Sequence, residues 1–220
     1  MPNDQPHTIY RDKDGVRLVS VTTYIHILGS GGIVHWAWQQ GVAGLDYRKV
    51  RDMYGDIGTV SHYLAFCKLT GTEPDLSGYE ESILLATERP MVKFDEWLSG
   101  KKLEPMLLEE PMVSEKYRFG GTPDYYGLVD GVKTLLDFKT SNAVHQDYLY
   151  QVAAYGKLLE EHGHQVDDYR IIRFGRDEGD ELEDYPCGDL TKHWDVFLSC
   201  QRIYNLQKEI RQDGKKRLVE

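Results

Sequence analysis

The sequence predicts an α/β (α+β) chain, a central mixed β-sheet flanked by helices, with a helical N-terminal part. Three observations carry that expectation. Residues 17–100 hold apolar positions mostly at helical spacing. Near residue 106 the texture changes to consecutive strand-like runs separated by turn residues. A helical segment, a further strand-like run and a final helical segment then give the order α…βββαβ…α.

Taken in order, residues 17–29 open as a short β-like run and become apolar at helical spacing, with Ser20 to Thr23 as a helix N-cap region. The run Gly29-Ser30-Gly31-Gly32 is a break. Residues 33–43 and 59–69 read as helices, the second ended by Gly71-Thr72-Glu73-Pro74. Residues 79–99 read as one more helix, broken or kinked near Pro90. Residues 106–119, 120–131 and 132–141 read as three consecutive strands. Residues 146–162 place Leu149, Val152, Gly156 and Leu159 on one helix face. Residues 168–174 read as another strand. In the final helix, 191–213, Val196, Cys200, Ile203, Leu206 and Ile210 form an apolar stripe. All 220 residues read as a single domain, with its sheet-bearing core at about 106–175.

Composition narrows the function classes. No apolar run approaches the ~20 residues of a membrane helix, so no membrane partner is expected. The polar N-terminus reads as neither a signal nor a transit peptide, and a cytoplasmic, reducing setting is the default. Cys67, Cys187 and Cys200 are too few and too scattered for a disulfide framework. Without a C-x-x-C pair, a four-cysteine zinc or iron–sulfur site is excluded within one chain. The net charge of −10 argues against a nucleic-acid partner at first sight. Residues 160–190, however, hold eleven acids against three arginines, −8 of that −10, so a basic groove elsewhere is permitted.

The chemistry concentrates in residues 109–155. Asp130-Gly131 between Val129 and Val132 is a strong signal for a two-residue type I′ hairpin. That turn pairs Val129 with Val132 and sets Asp124 opposite Asp137. Two facing carboxylates repel each other, and a divalent cation removes the conflict. Asp137 and Lys139 share one face of their strand, and Leu136 and Phe138 point the other way, into the core. Carboxylates that hold Mg2+ beside a lysine suit phosphodiester hydrolysis. The lysine orients or helps deprotonate the attacking water, or stabilises the charged transition state. Glu109 or Glu110 adds a third carboxylate; as neighbours, only one faces the site. Gln151 and Tyr155 stack on one helix face, placed to bind phosphate or a base and to hold Lys139.

This ordered set resembles the PD-(D/E)xK nuclease superfamily, and within it the RecB-type exonuclease branch. The resemblance rests on Pro123-Asp124, Asp137-Phe138-Lys139-Thr140-Ser141 and Gln151-x-x-x-Tyr155, with an upstream Gly58-Thr59-x-x-His62. Glu109, in E-x-P-x-V-S, fits the family's glutamate strand better than Glu110. Ser20 to Thr23 and Trp36-Ala37 resemble the opening of phage and mitochondrial genome-maintenance-type members. The likeness covers about residues 19–160.

It implies a restriction-endonuclease-like core and a metal-dependent deoxyribonuclease, foremost an exonuclease on DNA ends or single strands in replication, recombination or repair. His62, Glu109, Asp124 and Asp137 would hold Mg2+ or Mn2+, Lys139 would be catalytic, and Gln151 and Tyr155 would support it. No iron–sulfur cluster is expected. Helicase, single-strand-binding or recombination proteins are candidate partners, as is a second copy of the chain, in a bacterial or phage-infected cell. Two competing readings are a structure-specific or restriction-type endonuclease of the same fold and a non-cleaving DNA-binding subunit. Tyr125, Tyr126, Tyr148 and Tyr150 are candidate stacking platforms for bases. Residues 177–184 read as a solvated acidic loop, and Lys215-Lys216-Arg217 as a frayed tail.

Overall fold

The computed structural model describes residues 8–29, 32–175 and 179–217. Strand β1 (Val19–Ser20) runs straight into helix α1 (Val21–Ile25), because the Ser20 hydroxyl accepts the Thr23 N–H at 3.2 Å and caps the helix. Helix α2 (Ile33–Val42) follows, and then α3 (Tyr47–Thr70). Asp46 caps α3 through the Arg48 N–H at 3.0 Å, and Gly71 ends it at φ +68°. Helix α4 (Glu81–Ser99) completes the N-terminal helical part.

The remaining strands are β2 (Leu103–Leu108), β3 (Met112–Ser114), β4 (Phe119–Gly121), β5 (Tyr125–Val129), β6 (Val132–Thr140), β7 (Asp168–Phe174) and β8 (Glu183–Pro186). Helix α5 (Gln146–Glu161) links β6 to β7, and α6 (Thr191–Arg217) follows β8. Among the described residues there are two mixed sheets, β1-β4-β3 and β2-β5-β6-β7-β8. In the larger one, β6 and β7 are parallel, as a helical crossover permits, and the other neighbours are antiparallel. With six α-helices among the described residues, the chain is a mixed α/β structure in keeping with the α+β class.

Strand β6 separates two cores because its side chains alternate. Leu135 packs with Val152, Leu158 and Ile171, on the side of α5, α1 and α6. Leu136 and Phe138 pack with Phe94, Ile172 and Phe174, on the side of α3 and α4. Each such side chain, fully buried, stabilises the fold by about 1.5–3 kcal/mol. Asp137 and Lys139, in phase with Leu135, therefore face α5.

Several expectations need correction. The stretch 106–119 is not one strand. It divides into β2, β3 and β4, because Glu109 takes φ +46°, Pro111 cannot donate to a ladder, and Arg118 turns back at φ +64°. The stretch 120–131 likewise gives its first residues to β4 in the smaller sheet and its later ones to β5. Helix α3 begins twelve residues before 59, at Tyr47; its polar first half lacks the periodicity that marks a helix in sequence. Pro90 does not break α4. It removes one helical hydrogen bond, and the burial of Ile83, Thr87, Met91 and Phe94 on either side holds the helix through it. In α6 the buried face is Phe197 and Cys200, with Trp194 and Tyr204 packed on the same core. Ile203, Leu206 and Ile210 of the expected stripe are exposed. Of the acidic loop, residues 177 and 178 lie outside the described residues. Glu181, Glu183 and Asp184 are not merely solvated; they pair with Lys93, Arg173 and Arg170. The tail residues 215–217 continue α6, and their side chains lie outside the described residues.

Candidate active site

The hairpin β5–β6 sets the geometry. Asp130 and Gly131 both take positive φ, +51° and +86°, as a type I′ turn requires. Val129 pairs with Val132, and the register runs to Tyr125 opposite Leu136. One step further stand Asp124 and Asp137. Asp124 Oδ2 accepts the Phe138 N–H at 2.6 Å, so the Asp124 carboxylate is fixed at the end of the ladder.

Asp137 is fully buried. Its Oδ2 pairs with the Lys139 ammonium at 2.5 Å, and its Oδ1 has no hydrogen-bond partner among the described residues. Burial pushes the Asp137 carboxyl up to about 6; Lys139 pulls it down and the Asp124 charge adds to the rise. Burial by itself would lower the Lys139 amine, but Asp137 and Asp124 outweigh it and the net direction is up. Lys139 is therefore an ammonium at neutral pH. Its Nζ also lies 5.2 Å from the centre of the Tyr148 ring, a cation–π contact.

His62 and Glu109 both reach this centre through Asp124. His62 Nδ1 lies 3.7 Å from Asp124 Oδ1. Helix α3 comes this close to the end of β6 because residue 58 is glycine; a Cβ there would meet Thr140 Oγ1 at 2.9 Å. Glu109 sits at the strained bend after β2, with its N–H donated to the Asp124 carbonyl at 3.1 Å. Loss of water and then the Asp124 charge push its carboxyl up to about 7. Glu109 is exposed, so that shift is screened by solvent.

On α5, Gln151 Nε2 donates to the Tyr155 hydroxyl at 2.9 Å. Tyr155 is buried, and burial together with Asp137 and Asp124 raises its hydroxyl well above the ordinary range, so it keeps its proton. Its ring lies against Gly121, where a Cβ would approach Tyr155 Cε1 to 2.6 Å; only glycine admits the ring there. Of the four tyrosines considered as stacking platforms, Tyr125 and Tyr126 belong to the core. Their hydroxyls donate to the carbonyls of Leu128 and Gln165. Tyr148 and Tyr150 are half-buried and line a cleft beside Lys139.

One residue escaped sequence reasoning. Arg173, buried beside Lys139 in the β6–β7 register, donates to the Ser141 carbonyl at 2.9 Å and to Glu183 at 2.9 Å. It fixes the chain where it leaves β6. The only sequence signal is a charge directly after the apolar pair Ile171-Ile172 in β7.

The donor set is oxygen-rich, which suits a hard divalent cation. Among the described residues no three His, Cys, Asp or Glu side chains close into a ready cage. Mg2+ does not demand one, since it is commonly held by one or two carboxylates, water and substrate phosphate. The unpartnered Asp137 Oδ1 beside Asp124 fits that mode.

Compared with models of known protein families and with curated protein sequences, the chain matches none. Among the described residues no helix is long and apolar enough to cross a membrane.

Proposed function

We propose that the chain is a metal-dependent deoxyribonuclease with a restriction-endonuclease-like core, acting as an exonuclease on DNA ends or single strands. The observation that carries this reading is the buried Asp137 carboxylate. Its Oδ2 is paired with the Lys139 ammonium at 2.5 Å, its Oδ1 is buried without a partner among the described residues, and Asp124 faces it. Two carboxylates thus stand at one ammonium, and a divalent cation would offset the remaining negative charge. Asp124 and Asp137 would hold Mg2+ or Mn2+, with His62 and Glu109 as further ligands or water-holders. When bound, such an ion lowers the pKa of a coordinated water and offsets charge on the phosphate.

The chain's own groups do the rest. Lys139 carries a positive charge into the site and donates to the attacking water or to a phosphate oxygen as negative charge develops. It starts protonated, so charge stabilisation and orientation suit it better than taking up a proton. Gln151 and Tyr155 present one N–H and one O–H on the same wall. Phe138 holds Asp124 in register with Asp137 through its backbone N–H.

The test uses end-labelled linear single-stranded and duplex DNA, with circular single-stranded DNA as control, in Mg2+, in Mn2+ and in EDTA. Metal-dependent loss of linear DNA only, reduced about 100-fold or more in Asp137→Ala and Lys139→Ala, is the expected result. Cutting of the circle would move the reading to an endonuclease. Unchanged activity in either variant would overturn the assignment of the site, and no cleavage under any condition would favour a DNA-binding subunit.

A further inference from the structure

We propose that the cleft between α2, α3 and the start of α5 is a base-stacking subsite that holds single-stranded DNA next to Lys139. The cleft has a volume of about 670 Å3. Trp36, Tyr54, Tyr148 and Tyr150 supply rings to its wall, and Arg51 and His145 supply polar groups. The inference rests on the deoxyribonuclease reading for what lies at the Lys139 end, but the cleft's own ligand can be measured without cleavage.

The walls are fixed by packing. The Trp36 ring meets Tyr47 edge-on at 6.4 Å, and the Tyr148 ring meets His145 edge-on at 5.3 Å. Tyr54 packs on the Ile57, Val60 and Ile83 cluster, and Tyr150 tilts against His193 at 5.8 Å. Rings that face a cleft and are already ordered lose little entropy on binding a flat ligand. Unpaired bases are such ligands, and stacking tolerates any sequence. Inside a duplex each base face is covered by its neighbours, which leaves only the end pairs open to a ring.

Charge agrees with a polyanion at this margin. Arg51 is exposed, and its pair with Asp52 is between exposed neighbours and so weak. Arg48 and Lys49 precede it in the first turns of α3, where the helix dipole is positive. Asp147 lines the same cleft and is an acidic group a bound backbone must avoid. Continuity with the reactive set is the strongest argument. Tyr148 belongs to the cleft and also lies under Lys139 Nζ, so a strand stacked along these rings brings a phosphate to the lysine.

The experiment measures binding of the full chain to fluorescein-labelled dT20 and to a blunt duplex of mixed sequence by anisotropy, in EDTA. Native protein is expected to prefer dT20. Trp36→Ala is expected to weaken dT20 binding about tenfold, with Trp36→Phe restoring most of it, and with little change toward the duplex. Circular dichroism confirms that both variants are folded, and Arg51→Ala serves as a second variant expected to flatten the salt dependence of dT20 binding. Native-like dT20 binding by both Trp36→Ala and Arg51→Ala, or tighter binding of the duplex, would overturn the subsite. Failure of the nuclease reading looks different: dT20 binding still lost in Trp36→Ala, but no DNA cleaved in Mg2+ or Mn2+. Cleavage that depends on Lys139 while both Trp36→Ala and Arg51→Ala bind dT20 normally would leave the nuclease standing and remove the cleft.

Discussion

Asp124 Oδ2 takes the Phe138 N–H at 2.6 Å, while the next rung of the same hairpin would bring Asp124 face to face with Asp137. The backbone thus holds one carboxylate in place opposite another that is buried, with Oδ2 on the Lys139 ammonium and Oδ1 without a partner among the described residues. Burial raises the Asp137 carboxyl to about 6, against the pull of Lys139 and with the help of the Asp124 charge.

That shift fixes a sign. Between the ordinary carboxylate range near 4 and about 6, the folded protein binds a proton at Asp137 that the unfolded chain has released. Stability in EDTA therefore falls as pH rises through this window. Asp137→Asn removes the buried carboxylate but leaves the Lys139 ammonium without its partner, so its Tm in EDTA at pH 8 is expected to fall by several degrees, with cleavage abolished. A Tm above that of the native protein would show that the cost of the carboxylate, not the pair, dominates.

Protons and cations compete for the same oxygens. Glu109, raised to about 7, and Asp137, raised to about 6, both take up protons as pH falls. The rise in Tm on adding Mg2+ is accordingly expected to be larger at pH 8 than at pH 5.5. Thermal melts at the two pH values check this; equal shifts would show that neither carboxylate meets the ion.

Glu109 holds φ +46°, a conformation that costs a residue with a Cβ about 1–2 kcal/mol. Glu109→Gly should therefore leave stability unchanged or raise it by up to ~1 kcal/mol, while weakening the Mg2+ response. Glu109→Ala keeps the strain and loses the carboxylate, so the two variants separate backbone from side chain. Urea titrations with and without Mg2+ give both quantities.

Gly58 and Thr140 offer a test by rescue. A methyl at residue 58 would stand 2.9 Å from Thr140 Oγ1, so α3 or the threonine must shift. Gly58→Ala is expected to cost ~1 kcal/mol and to lower metal-dependent activity by moving His62 away from Asp124. Thr140→Ala in the same chain removes the obstructing oxygen and should recover most of both losses. No recovery would place the effect elsewhere on α3.

Much of this site was legible because it depends on local rules. The Asp130-Gly131 turn determines the register, the register sets Asp124 opposite Asp137, and the period of two puts Lys139 beside Asp137. Gln151 and Tyr155 need only the helical period. What depended on distant packing was not legible. Nothing local says that Tyr125 and Tyr126 point into cores, that Pro90 is carried within a helix, or that residues 112–121 leave the larger sheet. The aromatic cleft joins α2 and α3 to α5, more than ninety residues along the chain, and no periodicity spans that distance.

Arg173 shows the same limit and gives the sharpest stability prediction. Its guanidinium donates to the Ser141 carbonyl, to Glu183 and to the Glu181 carbonyl at 2.9, 2.9 and 3.2 Å. These acceptors are spread across two chain segments, and a planar fork reaches them together where a single ammonium cannot. Arg173→Ala leaves two carbonyls and a carboxylate without this donor, and is expected to cost ~3 kcal/mol in urea denaturation. Arg173→Lys keeps the charge and should still lose more than half of that. Because Ser141 follows Lys139 by two residues, both variants are expected to lower cleavage under conditions where they remain folded. An Arg173→Ala protein with native stability and native cleavage would show that the end of β6 is held by the β6–β7 ladder alone.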